Sequence, residues 1–108
     1  NIFKAKPRKF PLSIDMMEKH PLGSQLFFPL TNCSFIVLVA PPGPFPEINK
    51  IKSFIVKPNI GINYKAGVWH YPLIVLKKSI FIVLDRQGNN KNLNIYKFKN
   101  QSIKLYYE

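Results

Sequence analysis

Cysteine is nearly absent from this sequence: Cys33 is the only one in 108 residues. No internal disulfide is possible, and a zinc site built on cysteines is excluded. Cys33 sits beside a hydrophobic stretch with no cation next to it, so a small buried thiol is expected rather than a reactive one. A lone free thiol points to a reducing, cytoplasmic compartment. Acidic residues are also few: five Asp and Glu stand against sixteen Lys and Arg, for a net charge of +11. Arginine is scarcer than that charge suggests, because only Arg8 and Arg86 are present beside fourteen lysines. Readers of bases and phosphates favour the guanidinium fork. The basic residues are moreover spread from Lys4 to Lys104, and only Lys4-Ala-Lys-Pro-Arg-Lys9 is a cluster. Abundant Lys, Ile and Asn are what A/T-rich codons supply, so no nucleic-acid partner is expected. Long apolar runs are missing too. The longest spans residues 35–42, far short of the ~18 residues that a membrane helix needs. The start, Asn-Ile-Phe-Lys, has no signal-peptide pattern and already reads as strand. It is expected to lie inside a larger gene product.

What remains is a chain sized for one hydrophobic core, hence a single domain over residues 1–108. Short segments rich in Phe, Ile and Val predict strands at residues 25–30, 34–40, 52–57, 73–77, 79–85, 93–99 and 102–107. Residues 1–9 read as extended. Turn chemistry separates the strands at Thr31-Asn32, Pro58-Asn59, residues 87–90 and Asn100-Gln101. The segment Pro41-Pro-Gly-Pro-Phe-Pro46 cannot be a central strand, since its four prolines lack ladder donors. It should form a stiff extended loop. One short helix is predicted over residues 13–19, capped by Ser13, with Asp15 and Lys19 placed to suit its dipole. The fold class is all-β, a sandwich or small barrel with one short helix.

Two segments break the strand pattern with unusual chemistry. His20-Pro-Leu-Gly-Ser-Gln25 places an imidazole and an amide around a turn. Gly61-Ile-Asn-Tyr-Lys-Ala-Gly-Val-Trp-His70 has two glycines around a polar tip, then an aromatic cluster containing the second histidine. An apolar wall with a few convergent polar groups is what a small-molecule pocket uses. The bland alternative is a packed His70 bonded to a carbonyl, a His20 that only ends the helix, and Gly61 and Gly67 serving positive-φ turns. A metal site is poorly supported: His20 and His70 are the only histidines, Glu18 is the only Glu near either, and Gln25 would be a weak third ligand. Hydrolytic triads and phosphate-binding glycine loops are not indicated.

Read together and in order, these segments resemble the ureidoglycolate lyase family, also called ureidoglycolate hydrolase. Pro11-Leu-Ser-Ile14 and Glu18-Lys-His-Pro-Leu-Gly-Ser-Gln25 look like that family's "PLTI…ERHPLGTQ". Leu26-Phe-Phe-Pro29 looks like its "AFIP" strand, and residues 34–40 like its Val-rich strand ending in Ala. Gly61-Ile-Asn-Tyr64 and Gly67-Val-Trp-His70 look like "GVNYHRNVWHHPL", and Leu84-Asp-Arg86 with Gly88-Asn-Asn90 like its Asp-Arg-Gly-Gly turn. The resemblance implies a cupin-like β-barrel, usually dimeric, that releases urea from ureidoglycolate to give glyoxylate in allantoin and purine breakdown. It implies that these residues are the C-terminal two-thirds of such a barrel. It also implies His20 and His70 as the catalytic pair, with Gln25, Asn63, Tyr64, Trp69 and Lys65 around the substrate and no cofactor required. Three departures stand out: Lys65 and Tyr71 where the family has histidines, and Lys4 near an expected Arg. A competing reading is a cupin-like module that binds a small carboxylate without turnover. A basic barrel binding nucleic acid is a third, set aside because Phe27, Phe35 and Phe54 lie in apolar strands expected to form core.

Overall fold

The computed structural model describes residues 1–88, 90–99 and 103–107. Twelve short strands run through them: β1 Ile2–Ala5, β2 Leu12–Ile14, β3 Met16–Lys19, β4 Gln25–Pro29, β5 Phe35–Ala40, β6 Lys52–Val56, β7 Ile62–Tyr64, β8 Trp69–His70, β9 Ile74–Val75, β10 Ser79–Asp85, β11 Asn94–Lys97 and β12 Ile103–Leu105. The all-β expectation is met. The predicted helix over 13–19 is not: that stretch is β2 and β3, and the only helical piece among the described residues is a 3-10 turn at Ile48–Lys50. Period-two burial decided the outcome. Leu12 and Ile14 are buried while Ser13 between them is exposed, and β2 and β3 gain ladder partners in β12 and β11. Long-range pairing of this kind outweighs a helix cap over so short a segment. The predicted turn at Asn100-Gln101 falls outside the described residues, as does Asn89 of the 87–90 turn. Pro58-Asn59 does form a turn, with Asn59 at a positive φ of 67°.

The strands form three stacked sheets. The first has the order β1-β10-β4-β7, the second β11-β3-β8-β5-β6 with β9 also on β5, and the third is β12-β2. All pairings among them are antiparallel. The second sheet lies in the middle, and its central strands β5, β8 and β9 are buried on both faces, while β6 and β11 are largely exposed. One face contributes Phe35, Val37, Val56 and Val75 to a core shared with Phe81 and Tyr64 of the first sheet. The other contributes Ile36, Leu38, Ala40, Trp69 and Ile74 to a core shared with Leu12 and Ile14 of the third. This explains why β5 reads as an unbroken apolar run, Phe-Ile-Val-Leu-Val-Ala, with no polar alternation. The layered antiparallel build is consistent with a cupin-like β fold.

Aromatic rings fill the first core. Phe81 packs edge-on against Phe35 and Phe27, with ring centroids 5.1 and 6.5 Å apart. Cys33 is buried here as expected. Phe54 departs from expectation, being 52% exposed, because β6 is the edge strand of its sheet and nothing covers that position. The Pro41–Pro46 loop is irregular, as its prolines require. It is pinned at Gly43, whose carbonyl accepts from Trp69 Nε1 at 3.1 Å and from Lys19 Nζ at 3.0 Å. The Lys19 ammonium also sits 4.7 Å from the Trp69 ring centroid, a cation–π contact.

Phe81 is fully buried between two other rings. Phe81→Ala should therefore destabilise the fold by about 3–5 kcal/mol, whereas Phe54→Ala at the exposed edge should stay within about 0.5 kcal/mol. Chemical denaturation of the two variants beside the parent checks the contrast. Equal losses would contradict the assignment of the core.

Candidate active site

The site forms where the first and middle sheets face each other at one end of their shared core. Gln25 and Tyr64 are cross-strand partners on β4 and β7, and both point inward from the first sheet. Glu18 and His70 are cross-strand partners on β3 and β8 of the middle sheet. Together they line a cavity of about 490 Å³ whose other wall is apolar: Phe3, Phe27, Val83 and Leu73. The cavity thus has a polar end and a hydrophobic flank, the mixture that suits a small polar ligand.

His70 is the most constrained member. It is only 2% exposed, and its Nδ1–H donates to the Val68 carbonyl at 3.1 Å. That bond fixes the tautomer and leaves Nε2 without a proton. Nε2 is buried and has no hydrogen-bond partner; the nearest ionisable atom is Glu18 Oε1 at 3.7 Å. The imidazole stacks on Tyr64, with ring centroids 4.1 Å apart and planes 8° from parallel. Burial, with a smaller push from His20, lowers the His70 pKa to about 4, against the smaller opposing pull of its bond to Val68. At neutral pH the ring is uncharged and carries a bare lone pair into the cavity. Tyr64 presents a second orphan, its buried hydroxyl, and burial raises that phenol's pKa well above its ordinary value.

His20 stands behind this pair, its ring centroid 5.2 Å from that of His70. Its Nδ1 lies 2.8 Å from the Asn92 carbonyl and its Nε2 lies 2.9 Å from Gln25 Oε1. Both partners are acceptors, so a ring protonated on both nitrogens donates to each. Gln25 Nε2 in turn donates to Asp85 Oδ2 at 3.4 Å, which keeps the amide oxygen turned toward His20. The segment is tied down elsewhere as well. The Gly67 N–H donates to the His20 carbonyl at 2.9 Å, and the Leu22 N–H donates to Asn92 Oδ1 at 2.6 Å.

Several expected site residues lie elsewhere. Asn63 and Lys65 are exposed, and Asn63 faces out of the first sheet. Trp69 belongs to the second core, on the far face of the middle sheet. Each correction follows from the pleat: successive strand residues point to opposite faces, so once Tyr64 and His70 point inward, Asn63 and Trp69 cannot. Tyr71 is buried in that same second core, and Lys4 pairs with Ile80 on the exposed side of the first sheet. Gly67 does hold a positive φ of 82°. Gly61 does not, and is needed for close approach instead: a Cβ there would lie 2.8 Å from Phe28 Cδ2.

Two residues join the site that sequence reasoning did not place there. Asn92 lies far along the chain and carries no motif signal. Glu18 was considered only as a metal ligand, although its position two residues before His20 in an extended segment would have put both on one face. Burial raises the Glu18 pKa, with His20 pulling the other way. Glu18, His20 and His70 each offer a donor atom within 4.8 Å of the others. The three are not hydrogen-bonded to one another: His20 Nε2 is taken by Gln25, and His70 Nε2 has no partner.

The buried His70 makes stability depend on pH. Its folded value of about 4 lies below the ordinary 6.5, so between those values the unfolded chain binds a proton that the folded protein refuses. Acidification through this window should cost stability on the order of 2–3 kcal/mol. Glu18, shifted upward, opposes this by losing stability as pH rises past the ordinary carboxylate range. His70 is the more deeply buried and should dominate. Denaturant midpoints at pH 7 and pH 4.5 should fall together with pH in the parent and much less in His70→Asn. An equal fall in both would contradict the buried neutral imidazole.

The sequence profile of the family described as "Ureidoglycolate lyase" matches residues 1–105. The chain is 50% identical over 95 residues to a ureidoglycolate lyase of Burkholderia mallei, covering 87% of the chain and 55% of that relative. It is 48% identical over 100 residues to one of Agrobacterium fabrum, covering 91% and 59%. A third, from Pseudomonas fluorescens, is 41% identical over 100 residues, covering 92% and 60%. The chain spans little more than half the length of these relatives. With the profile matched almost end to end, the chain belongs to the ureidoglycolate lyase family.

Proposed function

We propose that the protein is a lyase that releases urea from ureidoglycolate to give glyoxylate. The observation that carries the reading is the buried, unpartnered and unprotonated Nε2 of His70, facing a cavity shared with Gln25, Glu18 and Tyr64. The substrate holds a hydroxyl and a ureido nitrogen on one carbon. Its collapse needs a base for the hydroxyl proton. His70 Nε2 is that base, and its tautomer is already set by Val68. Gln25 and the Tyr64 hydroxyl bind the ureido and carboxylate groups. His20 is a positioning residue: it holds the Gln25 amide and lies tilted against His70 without lining the cavity.

The same reading places the protein in the cytoplasm, in purine and allantoin breakdown, with a cupin-like fold. The free, buried Cys33 supports a reducing compartment. It also makes the enzyme a homodimer. In support of that, the outward face of the first sheet is apolar: Ile2, Phe28, Ile80 and Leu84 are all exposed, with Lys4 the one charge among them. Sedimentation should give a dimer, and Phe28→Asp should shift it to monomer. A monomeric parent would contradict the dimer.

A coupled assay for urea and glyoxylate, with and without chelator, tests the main reading. The parent should release both products in equal amounts, and chelator should leave the rate unchanged. His70→Gln should lose about 10²–10⁴-fold in kcat. Binding of glyoxylate without any urea release would instead mark a carboxylate-binding module. A rate abolished by chelator would mean that an ion supplies the chemistry.

A further inference from the structure

Resting on the lyase reading, we propose that Glu18 is the general acid that protonates the departing urea nitrogen, and that the proton taken up by His70 is returned to it through a water that enters the gap after the products leave. The placement is geometric. Glu18 and His70 occupy paired positions on adjacent strands, both side chains face the cavity, and Oε1 lies 3.7 Å from Nε2. That gap is too wide for a direct hydrogen bond. It is the right width for a substrate group held about 2.8 Å from each atom, with hydroxyl and nitrogen of one carbon divided between them.

The proton balance closes on these two residues. His70 Nε2 takes the hydroxyl proton, and the oxygen's electron pair forms the carbonyl of glyoxylate. The carbon–nitrogen bond breaks, and its electron pair goes to the nitrogen. Glu18 delivers its proton there, which completes neutral urea. Once the products leave, His70 is protonated on Nε2 and Glu18 is ionised, 3.7 Å apart, and transfer from one to the other through the entering water restores the starting state. The net change moves one proton from oxygen to nitrogen, with no water consumed and no other reactant required.

The roles are not interchangeable. His70 is locked by Val68 with its lone pair toward the cavity, so it begins as acceptor. Burial raises the Glu18 pKa, which favours the protonated form that an acid needs. His20 is the neighbour that opposes this shift, and its ring nitrogens are held by Gln25 and Asn92. Tyr64, the other buried hydroxyl in the cavity, is the weaker acid of the two. Its raised pKa keeps its proton in place, which suits a hydrogen bond to substrate and not a transfer.

Glu18→Gln retains the shape and can still donate a hydrogen bond, but it cannot give up a proton. It should lower kcat by about 10²–10⁴-fold while KM changes little. Glu18→Asp should recover part of the loss if the fold is intact. The specific readout is leaving-group dependence. On a ureidoglycolate carrying a nitrophenyl group on the distal nitrogen, the departing anion is stabilised and needs less help. The gap between parent and Glu18→Gln should shrink at least tenfold on that substrate. The same loss on both substrates, or near-native turnover by Glu18→Gln, would overturn the assignment. Absence of urea release by the parent would overturn the lyase reading itself, which separates the two failures.

Discussion

The central strands of the middle sheet are buried on both faces, and their pleat decides which side chains can reach the site. Along β8, Trp69 turns toward one core and His70 toward the other, since adjacent strand residues point in opposite directions. The same alternation on β3 turns Met17 into the second core and leaves Glu18 facing His70. No loop has to bring these groups together. They are placed by register between strands whose positions are fixed by Phe35, Val37 and Val75 on one side and Ile36, Leu38 and Ile74 on the other. A slip of one residue in β3 or β8 would exchange Glu18 with a neighbour and send His70 into the wrong core.

Burial also sets the electrostatics. It pushes His70 down, Glu18 up and Tyr64 up, so each is driven toward its neutral form. The cavity thus holds one bare lone pair, on His70, beside two groups whose charged forms burial disfavours. The counterweight is His20, which lies outside the cavity wall and is anchored at both ring nitrogens. Its coulombic influence opposes the upward shift of Glu18 and adds to the downward shift of His70. The two histidines, equivalent as letters in the sequence, are set apart by which ring atoms find partners.

Much of this was legible beforehand, and the misses share one cause. The strands at residues 35–40 and 79–85 announced themselves through β-branched and aromatic density, and the proline segment as a loop. The two segments carrying His20 and His70 were singled out from residue chemistry alone. Ser13 and Asp15 suit a helix cap and first turn as well as they suit the exposed positions they occupy, and Lys19 suits a helix end as well as its seat on the Trp69 ring. Only the pairing of β2 with β12 and β3 with β11 resolves that choice, and the partners lie some eighty to ninety residues away. Asn63, Lys65 and Trp69 were drawn into the site by adjacency in a motif. In extended chain, adjacency means opposite faces, and Glu18 was missed for the converse reason, standing two residues from His20.

The central claim is that His70 rests as a neutral imidazole protonated on Nδ1, with Nε2 bare in the cavity. Nitrogen chemical shifts of the imidazole in ¹⁵N-labelled protein, followed from pH 7 to pH 4, report both the tautomer and its titration. The account predicts a protonated Nδ1 and an unprotonated Nε2 at neutral pH, with the ring taking up a second proton only near the acid end. A ring protonated on Nε2, or one already cationic at pH 7, would contradict it.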